Sequence, residues 1–166
     1  SDSTAMANAM RGRVDLVRSG VYVAVRAGTR HPDIGSEAAV RQAVLDAASV
    51  GYSTGPSGVY LARLFERWGI ADAVASRTVQ APPGVPVGSL IADGKVELGF
   101  QKLAELMNVQ GVEVVGPLPP AIQLVTTFSG GVAATASQPD DVRAMLAWMA
   151  SPATAETKRR HGMEPA

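Results

Sequence analysis

The sequence predicts an α/β fold with a largely parallel sheet. Three observations lead to that expectation. Short Val-rich runs alternate with amphipathic stretches through most of the 166 residues. Gly and Pro punctuate most junctions between them. A composition of 46% hydrophobic and 18% charged residues is enough to bury a core and argues against disorder. Aromatics are only 5%, so that core is built mainly from Val, Leu, Ala and Met. The length suits one domain, or one lobe and part of a second.

The elements follow in order. Residues 14–27 alternate Val21, Val23 and Val25 with Tyr22, Ala24 and Arg26, the pattern of one strand or of two meeting at Ser19-Gly20. His31-Pro32-Asp33 ends it. Ser36 stands at an N-cap position with Glu37 in the first turn, and Val40, Ala43, Val44 and Ala47 continue at helical spacing. Residues 48–53 read as a short buried strand. Leu61, Leu64, Phe65 and Trp68 then mark one face of a helix, with Ser57 as its N-cap and Gly69 as its stop.

Further along, residues 77–80 predict a strand, 82–86 a rigid Pro-rich connector, and 87–93 a short helix closed by Gly94. A strand over 96–100 leads to a helical stretch over 101–107, followed by strands over 112–115 and 122–128. Ser137-Gln138-Pro139-Asp140 has the signature of a helix start, and Val142, Met145, Leu146 and Met149 give that helix a buried stripe. Pro152 begins a last helix ending at Gly162.

Charge and composition exclude several classes. Lys plus Arg equals Asp plus Glu at 15 each, which leaves no basic footprint for nucleic acid. The one basic cluster, Lys158-Arg159-Arg160-His161, complements the dipole at a helix C-terminus. There is no Cys, hence no disulfide and no thiolate metal site, and no apolar run long enough to span a membrane. The first ten residues lack the features of a signal peptide, and Ser1 through Met6 read as a cloning remnant.

Gly51-Tyr52-Ser53-Thr54-Gly55 matches G-x-S-x-G, the nucleophile elbow of serine hydrolases. A hydrolase would use Ser53 with His161 as base. Against it, His161 sits beside Arg159 and Arg160, which disfavour the protonated form a general base must reach. Thr54-Gly55-Pro56 also intervenes where an elbow needs its helix to start at once. The other reading is a Gly/Ser/Thr loop feeding a helix N-terminus, where Ser53, Thr54, Ser57 and Gly58 bind an anion with hydroxyl and N–H groups. A capped turn with no ligand is the plain alternative.

In order and spacing, "VRSGVYVAVRAGTRHPDI", "YSTGPSGVYLARLFERWGI", "VGSLIADGKVELGF", "VVGPLPPAIQLVTTFSGGVAA" and "LAWMASPATAETKRRHGMEP" resemble the later part of periplasmic solute-binding proteins of type II fold, in the molybdate-binding-protein-like group. The resemblance runs from about Arg13 to the C-terminus. It implies a three-layer lobe with a mixed, mostly parallel sheet, plus hinge strands and C-terminal helices of a truncated first lobe. Residues 1–12 would be a cloning remnant or disordered start, 13–35 a hinge strand segment, 36–118 the second lobe, and 119–166 the return hinge strand and C-terminal helices.

The implied function is solute binding for an ABC-type uptake system in the periplasm. A small oxyanion or organic acid would be held by Ser53, Thr54, Ser57 and Gly58, with Gln101 and Lys102 in addition. The partners are that anionic ligand and a membrane component of the transporter. No catalysis, metal or cofactor is implied. Two departures weaken molybdate as ligand: Pro86 stands where the family donates a backbone N–H, and Gln101-Lys102 stands where it has a tyrosine. A ligand-sensing domain cut from a regulator is a third reading, but no DNA-binding segment accompanies this one. Met145, Leu146, Trp148 and Met149 would need a partner surface, so a homodimer that swaps or shares these elements is expected, and a strict monomer at micromolar concentration would contradict it.

Overall fold

The computed structural model describes residues 10–166, so most of the expected start over 1–12 lies outside the described residues. The described residues form two compact units, Gly20–Val125 and a second made of residues 10–19 with 126–166. The alternating run over 14–27 is two strands, β1 (Met10–Ser19) and β2 (Val21–Arg26), which join different sheets on either side of Gly20.

The larger unit carries a five-stranded sheet of order β4-β3-β5-β2-β6, with β3 at Val50–Ser53, β4 at Thr78–Ala81, β5 at Leu98–Lys102 and β6 at Val112–Pro117. β3 pairs in parallel with β4 and β5, whereas β2 pairs antiparallel with β5 and β6. Four strands therefore run one way and β2 alone runs against them, a mixed and mostly parallel sheet.

Helices cover both faces. On one, α1 (Glu37–Asp46) and α2 (Pro56–Arg67) bury Val40, Val44, Leu61, Leu64 and Phe65 against Val21, Val23, Val25, Val50 and Phe100. On the other, α4 (Val87–Ala92) and α5 (Leu103–Leu106) set Val87, Ile91 and Leu106 against Ala24 and Ala81, while α3 (Ala71–Val74) is a single turn after α2. The valines of β2 and its Ala24 fall in different clusters because successive strand residues face opposite sides.

Several sequence expectations hold locally. Ser36 caps α1, its Oγ accepting from the Ala39 N–H at 3.1 Å. Gly69, Gly94 and Gly162 follow the ends of α2, α4 and the last helix with φ of +69°, +75° and +74°, where a Cβ would be strained. Other expectations are corrected. The N-cap of α2 is Gly55, not Ser57, because Pro56 takes the first helical position that its fixed φ favours. Gln101 and Lys102 extend β5 rather than start a helix, since they pair with Tyr22 and Val21. The expected strand over 122–128 begins as a 3-10 turn at Pro120–Ile122, with Ile122 buried, and only from Thr126 does β7 (Thr126–Ala133) run.

The smaller unit is an antiparallel sheet of order β7-β1-β8, with β8 at Glu164–Pro165, carrying α6 (Pro139–Ala150) and α7 (Ala155–Arg160). Pro152–Thr154 is a 3-10 turn, so the last α-helix starts three residues later than Pro152. α6 buries Leu146 against Gly130 of β7, where a Cβ would lie 2.6 Å from the leucine methyl. Met145 and Trp148, 53% and 62% exposed, face solvent, so Met145 does not join the buried stripe.

Candidate ligand-binding site

A cavity of about 450 Å³ opens at the carboxyl ends of β3, β4 and β5, where Ser53, Ala81 and Lys102 end their strands. That is where open α/β sheets place ligands, since the loops leaving the parallel strands diverge there. The size lies within the range of small-molecule sites. Ser53, Thr54, Ser57, Gln101 and Lys102, all sequence candidates, line it together. Gly58, the sixth candidate, lies just behind and buried.

α2 starts at this cavity. No side chain caps its N-terminus, and the first helical bond runs from the Val59 N–H to the Gly55 carbonyl. The N–H groups of Ser57 and Gly58 consequently have no acceptor inside the helix, and its dipole places partial positive charge beside the cavity. The Ser53 hydroxyl accepts from the Gly55 N–H at 3.3 Å and lies 3.4 Å from the Ser57 hydroxyl. Together these form a cluster of donors suited to a carboxylate or another oxyanion.

At the end of the neighbouring strand β5 the lining has a different polarity. Gln101 is 6% exposed, and its Nε2 donates to Glu105 Oε2. The Gln101 Oε1 is buried and accepts from nothing among the described residues. Lys102 and Glu105 are the two charged residues lining the cavity among the described residues. Glu105 escaped the sequence reading. The signal available was its place four residues after Gln101, which carries weight only once the strand is known to end at Lys102.

The remaining rim is the Pro82–Pro86 connector. Pro86 is the N-cap of α4, and its carbonyl accepts from the Ser89 hydroxyl at 2.7 Å. It has no N–H to offer a ligand, as the sequence implied.

A second cavity of about 550 Å³ lies at the opposite strand ends, near Ala47, Glu97 and Leu98. It is the larger, but its carboxylates already serve the fold. Glu97 accepts from the Ala48 N–H at 2.8 Å, Asp33 from the Gly35 N–H at 2.8 Å, and Asp46 from Gln42 at 2.7 Å. His31, also on its lining, pairs with Glu113 at 2.8 Å. The His31 contact and the Gly28 N–H hold the Glu113 carboxyl below its ordinary value.

The geometry gives the hydrolase reading no support. The partners of the Ser53 hydroxyl are Ser57 and Gly55, and no histidine bonds to it among the described residues. His161 Nδ1 lies 2.7 Å from the carbonyl of Thr157, one turn earlier on its own helix. No group of three or more His, Cys, Asp or Glu residues is placed to hold a metal among the described residues.

Among known proteins, aconitate isomerase of Pseudomonas sp is 38% identical to this chain over 154 residues, 92% of the chain. The chain spans 58% of that relative's length. The fold recurs in the substrate-binding domain assigned to a molybdenum ABC transporter of Clostridium difficile, with a TM-score of 0.79 at 13% identity, covering 99% of this chain and 72% of that one. It recurs also in the periplasmic molybdate-binding protein of Azotobacter vinelandii, with a TM-score of 0.62 at 18% identity, covering 98% and 72%. At such identities the likeness concerns architecture, and this chain shares the α/β arrangement of periplasmic binding proteins. Residues 2–164 match the family described as bacterial extracellular solute-binding protein, and with nearly the whole chain matched, the protein belongs to that family.

Proposed function

We propose that this chain builds one wall of a binding site for a small carboxylic acid, held as a solute for uptake. The observation that best supports this is the convergence of Ser53, Ser57, Lys102 and the uncapped start of α2 on one cavity. A carboxylate there would accept from the Ser57 and Gly58 N–H groups and from the serine hydroxyls, with the lysine as counter-charge. A carboxylic acid is favoured over molybdate for two reasons. The 38%-identical relative is named for aconitate, a tricarboxylic acid. Pro86 and Glu105 also leave fewer donors around the cavity than a bare oxyanion with acceptors on every side requires.

In this reading the solute passes to the membrane component of an ABC transporter from an extracytoplasmic compartment. No described helix is long and apolar enough to cross a membrane. Calorimetric titration with citrate, trans-aconitate, molybdate and sulfate tests the proposal. Saturable heat with the carboxylates is expected, weakened about tenfold in Ser57→Ala, the usual cost of one hydrogen bond to a charged group. Binding of molybdate or sulfate alone, or carboxylate binding indifferent to Ser57→Ala, contradicts it.

A second reading rests on the name of that same relative. There the cavity would hold an unsaturated tricarboxylic acid, and Glu105 would take a proton from the allylic CH2 carbon. As the double bond shifts onto that carbon, the proton would be delivered to the former vinylic CH carbon, which becomes the new CH2. Lys102 would stabilise the negative charge that develops between the two steps. Proton NMR of trans-aconitate incubated with the protein decides. Appearance of the cis isomer, lost in Glu105→Gln, establishes an isomerase, and an unchanged spectrum removes this reading.

A further inference from the structure

The polarity of the cavity wall narrows the ligand class further, in an inference that rests on the carboxylate-binding reading. We infer that the ligand carries a hydrogen-bond donor of its own beside its carboxylate, in the first place a hydroxyl, and that Gln101 is the residue that reads it.

Gln101 is 94% buried by the complement of its 6% exposure, yet only one of its polar ends is engaged. Nε2 donates to Glu105 Oε2, while Oε1 accepts from nothing among the described residues. Turning the amide over would set Oε1 against a carboxylate oxygen, two acceptors with no proton between them. An ionised Glu105 therefore fixes the acceptor end of Gln101 as the end left for a ligand. Gln101 lines the cavity with its Oε1 covered, so in this inference the amide turns about its last side-chain bond to meet an entering donor.

Glu105 strengthens the same requirement. It places carboxylate charge on the cavity wall, where Lys102 is the other charged residue among the described ones. An anion with acceptors on every side can satisfy the start of α2 and Lys102, but it turns its remaining oxygens toward Glu105 and Gln101 Oε1. A hydroxy acid resolves the conflict. Its carboxylate faces Ser57 and the α2 N–H groups, and its O–H donates to the Gln101–Glu105 wall. An ammonium on the same carbon has the same hydrogen-bonding sense. Sites that use a buried hydrogen-bonding group in this way reject the analogue lacking the partner, because the group is then left unpaired.

Matched pairs test this on the chain itself. Malate and succinate differ by one hydroxyl, as do citrate and tricarballylate, and aspartate replaces the hydroxyl of malate with an ammonium. By calorimetry malate should bind about tenfold tighter than succinate, and citrate about tenfold tighter than tricarballylate, the effect of one buried hydrogen bond. In Gln101→Met, similar in size but without the acceptor, both ratios should fall to within about twofold. Glu105→Gln, at an exposed position, keeps a bonding partner for Gln101 but no longer fixes its amide. It should lower both ratios as well, which covers the case of a Gln101→Met protein that does not fold.

Aspartate binding tighter than malate assigns the donor to an ammonium and supports the donor rule. Equal affinities within each pair in the unaltered protein, or preferences that survive both variants, overturn this inference and leave carboxylate binding standing. Absence of saturable heat with every carboxylate overturns both.

Discussion

The carbonyl oxygen of Ser53 occupies the space that a Cβ on residue 58 would need. The end of β3 thus rests directly on the first turn of α2, and only glycine permits that approach. The Ser53 hydroxyl and the start of α2 hold their relative places because this contact has no slack. We expect Gly58→Ala to destabilise the fold by about 2–3 kcal/mol, the range for forcing an added carbon into a packed site. Urea denaturation measures it, and a change under 0.5 kcal/mol, within the range of an ordinary surface substitution, would show that the loop yields freely.

Gln123 holds the start of β2. Its Oε1 accepts from the Val21 N–H at 2.8 Å and from the Leu124 N–H at 2.9 Å, and its Nε2 donates to the Val21 carbonyl at 3.0 Å. Gln123→Leu keeps the volume and removes these bonds, together with a longer one from Nε2 to the Leu118 carbonyl at 3.5 Å. A loss of about 2–3 kcal/mol is expected, since backbone groups are left unpaired in a half-buried setting. The shift of the chemical denaturation midpoint reports it.

Arg77 closes the C-terminus of α1, which has no basic residue in its own last turn. Its guanidinium donates to the carbonyls of Val44 at 3.3 Å and Leu45 at 2.7 Å, and also to that of Ala47. A planar fork is needed to reach three carbonyls together, so Arg77→Lys should recover less than half of the stability lost in Arg77→Ala. The expected loss for alanine is about 2 kcal/mol. Full rescue by lysine in a thermal melt would reduce the role of Arg77 to its charge.

Two carboxylates of the larger unit link its stability to pH. Glu37 is held below its ordinary value of 4.5 chiefly by the Trp68 indole, which donates at 2.7 Å, and secondarily by Arg67. Glu113 is held below the same value chiefly by His31, then by the Gly28 N–H. A folded-state value below the unfolded one means stability that is present above pH 4.5 and is lost as pH falls through the lowered folded value. Melting temperature should decline through that acid range, and the double variant Glu37→Gln, Glu113→Gln should decline less steeply. Identical slopes would remove both groups from the linkage. Both are solvent-facing, so the effect should also shrink in high salt.

Much of this fold is legible in the sequence because its signals are local. Ser36 as a cap, the Leu61–Leu64–Phe65 stripe, the glycines ending helices and the alternation in β2 each depend on a few neighbouring residues. What the sequence leaves hidden depends on distant partners. The hold of Arg77 on the end of α1 spans 30 to 33 positions, and that of Gln123 on Val21 spans 102. The site divides the same way. Ser53, Thr54 and Ser57 announce themselves as a hydroxyl-rich loop before a helix. Glu105 gains meaning only from its bond to Gln101, which requires β5 to end at Lys102. The G-x-S-x-G match shows the opposite hazard, a short pattern whose catalytic partner the fold does not bring to it.

The central claim is that a small carboxylic acid sits between the start of α2 and the Gln101–Glu105 wall. Two-dimensional 15N–1H NMR of the protein titrated with citrate tests it most directly. The account requires the largest shifts at the Ser57 and Gly58 backbone amides and at the Gln101 side-chain amide. Shifts confined to residues around His31 and Asp33 would place the ligand in the other cavity and contradict the account.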